Sequence, residues 1–212
     1  MAGRRIGADN MVDWDEFLVL NYLDIYGSSS QKDIENNIEI VEEKIREILS
    51  DLLRRGLVRR ADDRWEIEHA GREEMKRLRR EVLEGSGRRD EIISYCKEFE
   101  ELNTWFKDLV TRWQVKNEGG VLVPNDHSDP EYDLAIIREL GELHKKTLKV
   151  LEKLSNVLPI LKTYIMRLNR ALNLVRRGEI EYLSGVDVQS YHNIWFELHE
   201  GLLRLSGLKR VE

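Results

Sequence analysis

The scarcity of proline constrains this chain most, because a proline inside a helix removes a hydrogen bond and clashes with the preceding turn. Only 3 of the 212 residues are proline. Apolar residues recur mainly three and four positions apart, which is the spacing of one face of a helix. The sequence therefore predicts a nearly all-α protein.

The first part of the chain contains three predicted helices after a flexible, polar arm at residues 1–12. Asp13 is expected to cap a helix that ends near Tyr26, and a serine within 28–30 is expected to cap a short second helix. Gly56 is expected to end the third helix in a left-handed conformation. The apolar positions of the third helix form one stripe that faces a core: Ile45, Ile48, Leu49, Leu52 and Leu53.

A short β-hairpin is predicted directly after the third helix. Residues 57–60 and 64–68 each suggest a strand, and Asp62 and Asp63 form the turn between them. A highly charged helix follows and leads to the Gly-Ser-Gly sequence at 85–87. We interpret this break as a domain boundary, with one domain over 13–87 and a second over 88–212.

Residues 33–75 resemble the helix-turn-helix and wing of MarR-like regulators of bacteria and archaea. Three features carry the resemblance: the turn near 38–40, the L-x-x-x-G-L-V pattern at 52–58, and the A-G-R sequence at 70–72. The resemblance implies a winged helix-turn-helix domain over 13–87, with the hairpin as its wing. It also implies a DNA-binding transcriptional regulator whose partner is double-stranded DNA.

In such a domain one helix enters the major groove and the wing contacts the DNA backbone. The candidate DNA contacts are six cationic side chains: Lys44, Arg46, Arg54, Arg59, Arg60 and Arg64. Residues 41–55 hold four basic and four acidic side chains, and the whole chain has a net charge of −6. Because affinity for DNA comes mostly from phosphate neutralisation, a neutral helix leaves open the alternative that the domain contacts protein.

The second domain is expected to be an all-α, bundle-like domain. Predicted helices cover 89–115, 131–158, 160–177 and 188–205, and a loop rich in glycine and proline covers 117–130. Pro159 is expected to interrupt the long helix. The buried stripe of that helix offers more apolar surface than one thin bundle can cover, so we expect a homodimer. The stripe consists of Leu140, Leu143, Thr147, Val150, Leu151, Leu154, Val157 and Leu158.

Four of the five histidines and several aromatic residues lie in the second domain. A ligand pocket requires apolar walls and a few converging polar groups, and this composition provides both. A packed core with hydrogen-bonded histidines is the alternative. The candidate pocket residues for a small-molecule effector are Trp113, His127, His144, Tyr191, His192, Trp195 and His199.

Three phrases of the second domain resemble helical domains attached to winged helices near phosphoenolpyruvate-utilising phosphotransferases. These phrases are WQ at 113–114, NDHSDPEYD at 125–133 and YHNIWFELHE at 191–200. The resemblance implies a rival function, in which the protein is an accessory or regulatory subunit of an enzyme complex. The winged helix would then be a docking surface for a protein partner.

The remaining patterns exclude several classes of protein. The single Cys96 excludes an internal disulfide and fits a reducing cytoplasm, and no apolar run approaches the length of a membrane span. No phosphate-binding loop, nucleophile motif or tight metal-ligand spacing occurs, although the loop at 126–129 is the nearest to a metal site. We therefore expect a soluble cytoplasmic protein that is not an enzyme and has no cofactor.

Overall fold

The structure is a computed structural model that describes residues 12–209. Helices predominate and are accompanied by small antiparallel sheets, so the predicted mainly α fold class is confirmed. The chain divides into two compact units. Within the described residues, unit 1 comprises 12–92 and 200–209, and unit 2 comprises 93–199. The predicted arm, apart from Val12, lies outside the described residues.

Unit 1 contains the predicted helices and hairpin and one further strand, β1. Its elements are α1 (Trp14–Tyr26), β1 (Ser28–Ser30), α2 (Gln31–Asn37), α3 (Glu42–Arg54), β2 (Val58–Ala61), β3 (Arg64–Ile67) and α4 (His69–Gly85). The predicted caps are confirmed, because the Asp13 carboxylate accepts from the first amides of α1 and the Ser30 hydroxyl accepts from an amide of α2. Gly56 follows α3 with a φ of 70°, which favours glycine.

The three strands of unit 1 form one antiparallel sheet in the order β1-β3-β2. The predicted β2–β3 hairpin is confirmed, whereas β1 was expected to be only a helix break. Ser29 pairs with Trp65 of β3. This pairing joins residues far apart in the chain, so the local sequence of three serines carries no sign of it.

The core of unit 1 lies beneath α3 and the sheet. Ile45, Leu49 and Leu52 are fully buried, but Leu53 is 43% exposed, so the predicted stripe is wrong at that position. At Gly71 of α4, an added Cβ would lie 2.2 Å from the Leu57 carbonyl oxygen. Glycine therefore permits α4 to approach the segment that leaves α3.

Unit 2 contains most of α5 and α9, and its boundaries fall within these two helices. Its elements in order are α5 (Arg89–Gln114), β4 (Val115–Glu118), β5 (Val121–Pro124), α6 (Pro130–Ser155), α7 (Leu161–Arg176), α8 (Glu181–Ser184) and α9 (Tyr191–Ser206). The predicted stripe of α6 is buried from Leu140 to Leu154, and Leu158 beyond the helix is buried too. Val157 is only half-buried.

Two predictions for unit 2 are wrong in detail. The expected loop at 117–130 is in part a hairpin, because Gly119 and Gly120 both adopt positive φ and form a tight turn between β4 and β5. The long helix α6 ends at Ser155 rather than near residue 158. Pro159 disfavours helical geometry in the residue before it, so the break begins ahead of the proline.

Candidate functional site

The six candidate DNA contacts lie on α3 and on the β2–β3 hairpin, and we call this region the α3–hairpin surface. Five of the six side chains are exposed and Lys44 is half-exposed. Each cation on α3 forms an ion pair with a carboxylate three residues away: Lys44 with Glu47 at 3.7 Å, Arg46 with Glu43 at 3.0 Å, and Arg54 with Asp51. Hydrogen bonds from Arg54 and then Arg55 hold the pKa of Asp51 below its usual value.

The hairpin arginines also have partners within unit 1. Arg59 pairs with Glu66 and Glu68, and the latter pair has an N–O distance of 3.1 Å. The Arg60 guanidinium lies 5.7 Å from the centre of the Trp65 ring. Arg64 donates hydrogen bonds to the hydroxyl and the carbonyl of Ser28, at 2.9 and 3.0 Å. These partners belong to neighbouring strands, so the sequence pattern did not indicate them.

Unit 1 also contains a buried carboxylate that the sequence analysis missed. Asp24 on α1 is 5% exposed. Its oxygens accept from Arg79 at 2.7 Å, from Arg204 at 2.8 Å and from Arg72 at 3.4 Å. Arg79 donates further to the Asn21 side chain at 2.7 Å. Arg79 is buried with Asp24, whereas the Arg72 and Arg204 side chains are 44% and 32% exposed and reach the carboxylate from the surface of unit 1.

Five of the seven candidate pocket residues lie in or beside one buried aromatic cluster on α5, α6 and α9. Trp195 stacks on Phe106 and Phe99, with ring centroids 4.4 and 4.7 Å apart, and its Nε1 donates to the Asn103 side chain at 2.9 Å. Tyr191 also lies near Phe106 and is fully buried. These rings fill the space between the helices.

Two of the three histidines of this cluster have hydrogen-bond or ion-pair partners, and His192 lies against the Phe106 ring, with the ring centroids 5.9 Å apart. Both ring nitrogens of His144 lie 3.1 Å from a partner, Nδ1 from the Tyr191 hydroxyl and Nε2 from the Asn169 side-chain oxygen. Burial lowers the pKa of His144 and of His192, and raises the pKa of Tyr191. His199 pairs with Glu100. These contacts are those of a packed core with hydrogen-bonded histidines.

Trp113 and His127 lie apart from that aromatic cluster, in a polar group that we call the His127 cluster: Trp113, Asn125, His127 and Asp133. The His127 Nδ1 lies 2.9 Å from an Asp133 oxygen, and its ring centroid is 4.4 Å from that of Trp113. Asn125 donates to the Trp113 carbonyl at 2.9 Å and to Asp133 at 3.0 Å. It also accepts from the His127 amide at 3.1 Å.

This cluster fixes both the orientation and the tautomer of His127. An ionised carboxylate can only accept, so Nδ1 carries the hydrogen that faces Asp133. Nε2 of His127 has no hydrogen-bond partner among residues 12–209. The backbone of His127 adopts a φ of 60°, which is uncommon for a residue other than glycine. The loop therefore leaves Nε2 of His127 able to form a hydrogen bond with a ligand.

A cavity of about 540 Å³ lies beside His127, between the first half of α6 and the end of α7. His127 is the member of the predicted pocket set that lines it. The other lining residues are Pro130, Asp133, Leu134, Ile137, Arg138, Glu142, Val175, Arg176, Gly178 and Ile180. Arg138 and Arg176 form no hydrogen bond or ion pair with any residue that the structure describes.

Among the residues that line this cavity, the sequence predicted only His127 as a pocket residue. The run of polar residues at 125–133 was the available signal for Asn125 and Asp133. Arg138 and Arg176 resemble ordinary surface arginines in the sequence, because nothing local shows that two helices bring them to one cavity. Residues 12–209 contain no group of three or more histidine, cysteine or acidic side chains that could hold a metal ion.

Comparison of this chain with protein-family models, with characterised proteins and with solved structures finds no match. Between residues 12 and 209, no helix is both long enough and apolar enough to cross a membrane.

Proposed function

We propose that the protein is a DNA-binding transcriptional regulator, with unit 1 as a winged helix-turn-helix domain. The arrangement of unit 1 carries the proposal. Helices α2 and α3 are joined by the four residues 38–41, and a hairpin follows α3 directly. A helix-turn-helix has such a short connection between its two helices. The sheet order β1-β3-β2, in which β1 pairs with the hairpin strand β3, supports a role of the hairpin as the wing.

The amphipathic character of α3 supports its role as the helix that enters the major groove. Ile45, Leu49 and Leu52 lie in the core, while Lys44, Arg46 and Arg54 lie on the accessible side. The hairpin arginines would contact the DNA backbone. A helix in the major groove presents its accessible side chains to base edges and phosphates.

The ion pairs within the α3–hairpin surface must be broken before its arginines can contact phosphates. Exposed ion pairs contribute only about 0–1 kcal/mol, so a phosphate can displace a carboxylate from Arg46 or Arg59. The displaced carboxylates, however, would then face the DNA. We therefore expect binding that depends on a particular sequence, rather than strong non-specific binding to any duplex.

Fluorescence anisotropy with duplexes from the region upstream of the gene tests this proposal. We expect the protein to prefer one such duplex over a scrambled duplex of the same length. Arg59→Gln and Arg64→Gln should each reduce the slope of log affinity against log salt by about one unit if each arginine makes one phosphate contact. Absence of any sequence preference in the wild-type chain would contradict the proposal.

A second pair of variants uses the internal ion pairs directly. Glu43→Gln and Asp51→Asn remove the carboxylates that pair with Arg46 and Arg54. If these arginines face DNA, both variants should bind the preferred duplex more tightly than the wild type. Glu118→Gln is the matched control, because it makes the same change of charge at an exposed residue of unit 2. Weaker binding by both variants would count against the proposed orientation.

The alternative function is an accessory or regulatory subunit that uses the α3–hairpin surface to contact protein. Its support is the neutral charge of this surface together with two apolar side chains at the ends of α3, since Val41 is 69% exposed and Leu53 is 43% exposed. Val41→Ser and Leu53→Ser separate the two functions. DNA binding should change little, whereas assembly with a phosphoenolpyruvate-utilising phosphotransferase, followed by sedimentation, should be lost.

A homodimer is part of the regulator proposal, because two recognition helices that read successive major grooves need dimeric spacing. Sedimentation of the free protein at micromolar concentration measures this. A strict monomer, alone and on DNA, would contradict that part of the proposal.

A further inference from the structure

We infer that the cavity beside His127 binds a small organic anion, with a carboxylate or phosphate ester group and an apolar portion. The inference concerns unit 2 alone and does not rest on DNA binding by unit 1. Four observations support it: the charges that line the cavity, the position of Arg176, the orientation of His127 and the apolar walls.

The charged groups at the cavity differ in whether they are already paired. Arg138 and Arg176 form no hydrogen bond or ion pair within residues 12–209. The carboxylate of Asp133 accepts from the His127 cluster, and Glu142 pairs with Lys145 at 2.7 Å. Guanidinium groups bind carboxylate and phosphate oxygens in a two-pronged geometry. The cavity therefore offers an anion two guanidinium groups that have no ion-pair partner among residues 12–209, while Asp133 and Glu142 have partners of their own. The pKa of Glu142 is lowered mainly by Lys145 and also by the nearby charge of Arg176.

The position of Arg176 depends on a glycine in the interior of α6. Gly141 is buried, and a Cβ added to it would lie 2.6 Å from Nη2 of Arg176. A glycine inside a helix is less favourable than alanine. At this position the absence of a side chain allows the guanidinium to lie against the helix. The Arg176 guanidinium thus lies against α6 at the edge of the cavity, although the residue as a whole is exposed.

His127 supplies a third polar group. Its ring is fixed by Asp133 on the Nδ1 side and by the Trp113 ring. This arrangement leaves Nε2 for a bound molecule. A neutral imidazole accepts at Nε2, and a protonated one donates, so His127 can pair with a hydroxyl or with the anionic group itself.

The remaining walls are apolar and indicate that the ligand is more than an inorganic ion. Leu134, Ile137, Val175 and Ile180 line the cavity, and Leu134 is 48% exposed. The volume of about 540 Å³ lies within the range of small-molecule sites, roughly 300–1,000 Å³. An apolar group that covers these side chains would bury surface that otherwise contacts water.

Isothermal titration of the full chain with three related probes tests the inference. The probes are 3-phenylpropionate, phenyl phosphate and the uncharged 3-phenylpropionamide. We expect one of the two anions to bind at least about tenfold more tightly than the amide, and the better anion identifies the preferred head group. Equal affinity for the amide would overturn the inference. No binding of any probe at millimolar concentration would overturn it as well.

Variants locate the binding. Arg138→Gln and Arg176→Gln should each weaken binding of the better anion at least about tenfold, whereas Arg170→Gln on the exposed side of α7 should leave it unchanged. Gly141→Ala is a second test, because it should displace the Arg176 guanidinium and weaken binding without lowering the thermal midpoint. The imidazole carbon–proton signals of His127 should shift on addition of the probe. Unchanged affinity in the Arg138, Arg176 and Gly141 variants would overturn the assignment of the site.

Discussion

The arginines of the two units differ in what they contact. On the α3–hairpin surface of unit 1, Arg46 and Arg59 pair with carboxylates of the same unit. At the cavity of unit 2, Arg138 and Arg176 have no ion pair within residues 12–209. A ligand of unit 1 must therefore displace an existing partner, whereas an anion in unit 2 meets two arginines without an ion-pair partner among these residues. Counts of basic residues in the sequence do not distinguish these situations.

Each unit also buries an arginine against a carboxylate. In unit 2, Arg167 contacts Glu197 at 2.8 Å, and the side chains are 3% and 2% exposed. The Tyr164 hydroxyl donates to the same carboxylate at 2.7 Å. The arginines of the protein thus fall into three groups: exposed, cavity-lining and buried. We expect substitutions in these groups to change the free energy of unfolding by different amounts.

The largest effect is expected for the buried pair of unit 2. Glu197→Ala removes the carboxylate that neutralises Arg167 and should lower the free energy of unfolding by about 3–5 kcal/mol. Urea denaturation followed by circular dichroism measures this loss. The double variant with Arg167→Met and Glu197→Leu should recover much of it, because no buried charge is then left unpaired. If Glu197→Ala lowered the free energy of unfolding by less than about 1 kcal/mol, the buried pair would contribute no more than an exposed one. That result would contradict the proposed difference between buried and exposed arginines.

A smaller loss is expected in unit 1 for Asp24→Asn. Asparagine keeps the volume and one acceptor oxygen, but it removes the charge that faces Arg72, Arg79 and Arg204. Hydrogen bonds to charged groups contribute about 1.5–3 kcal/mol, and we expect a loss of that size in urea denaturation. Glu43→Gln on the exposed surface of α3 is the matched control and should change stability little. Equal losses in the two variants would contradict the assignment of Asp24 to the core.

The histidines of the two units should also contribute differently to the pH dependence of stability. Burial lowers the pKa of His144 and His192 in unit 2, whereas His69 of unit 1 is exposed. The unfolded chain then binds more protons as the pH falls through about 6.5, the ordinary histidine value, so stability is full above that pH and decreases below it. Thermal midpoints from neutral to mildly acid pH measure this decrease. His144→Gln should reduce it, and an unchanged pH profile would show that His144 does not contribute.

The smallest effect on stability is expected for the arginines that face solvent or the cavity. Arg46→Gln and Arg138→Gln should each change the free energy of unfolding by no more than about 0.5 kcal/mol. Denaturation curves of these variants measure the change. A larger loss for Arg138→Gln would show that this side chain stabilises unit 2, and would weaken its assignment to an anion site.

The sequence predicted those features of the fold that depend on interactions between residues only a few positions apart. Asp13 and Ser30 cap α1 and α2 because a side-chain oxygen reaches amides two or three positions ahead. The stripe of α6 was predicted because residues three and four apart share one face of a helix. Leu53 was misjudged because it lies at the edge of such a stripe, where only the neighbouring elements decide burial.

The candidate site was predicted only in part for the same reason. His127 and Trp113 were identified by residue type, although five other candidates occupy or adjoin a packed aromatic core. Arg176 became a candidate only because α7 returns beside α6 at Gly141. Nothing within a few residues of Arg176 distinguishes it from a surface arginine.

The sequence by itself determined the longer helices, the caps of α1 and α2, the β2–β3 hairpin and the polar run that contains His127. The tertiary structure decided which charges are paired. Arg64 contacts Ser28 from 36 residues away, and Arg204 contacts Asp24 from 180 residues away. Helix periodicity and capping depend on hydrogen bonds between near neighbours, so they can be read along the chain. An ion pair or a cavity depends on where distant segments meet, and that is fixed only when the whole core packs.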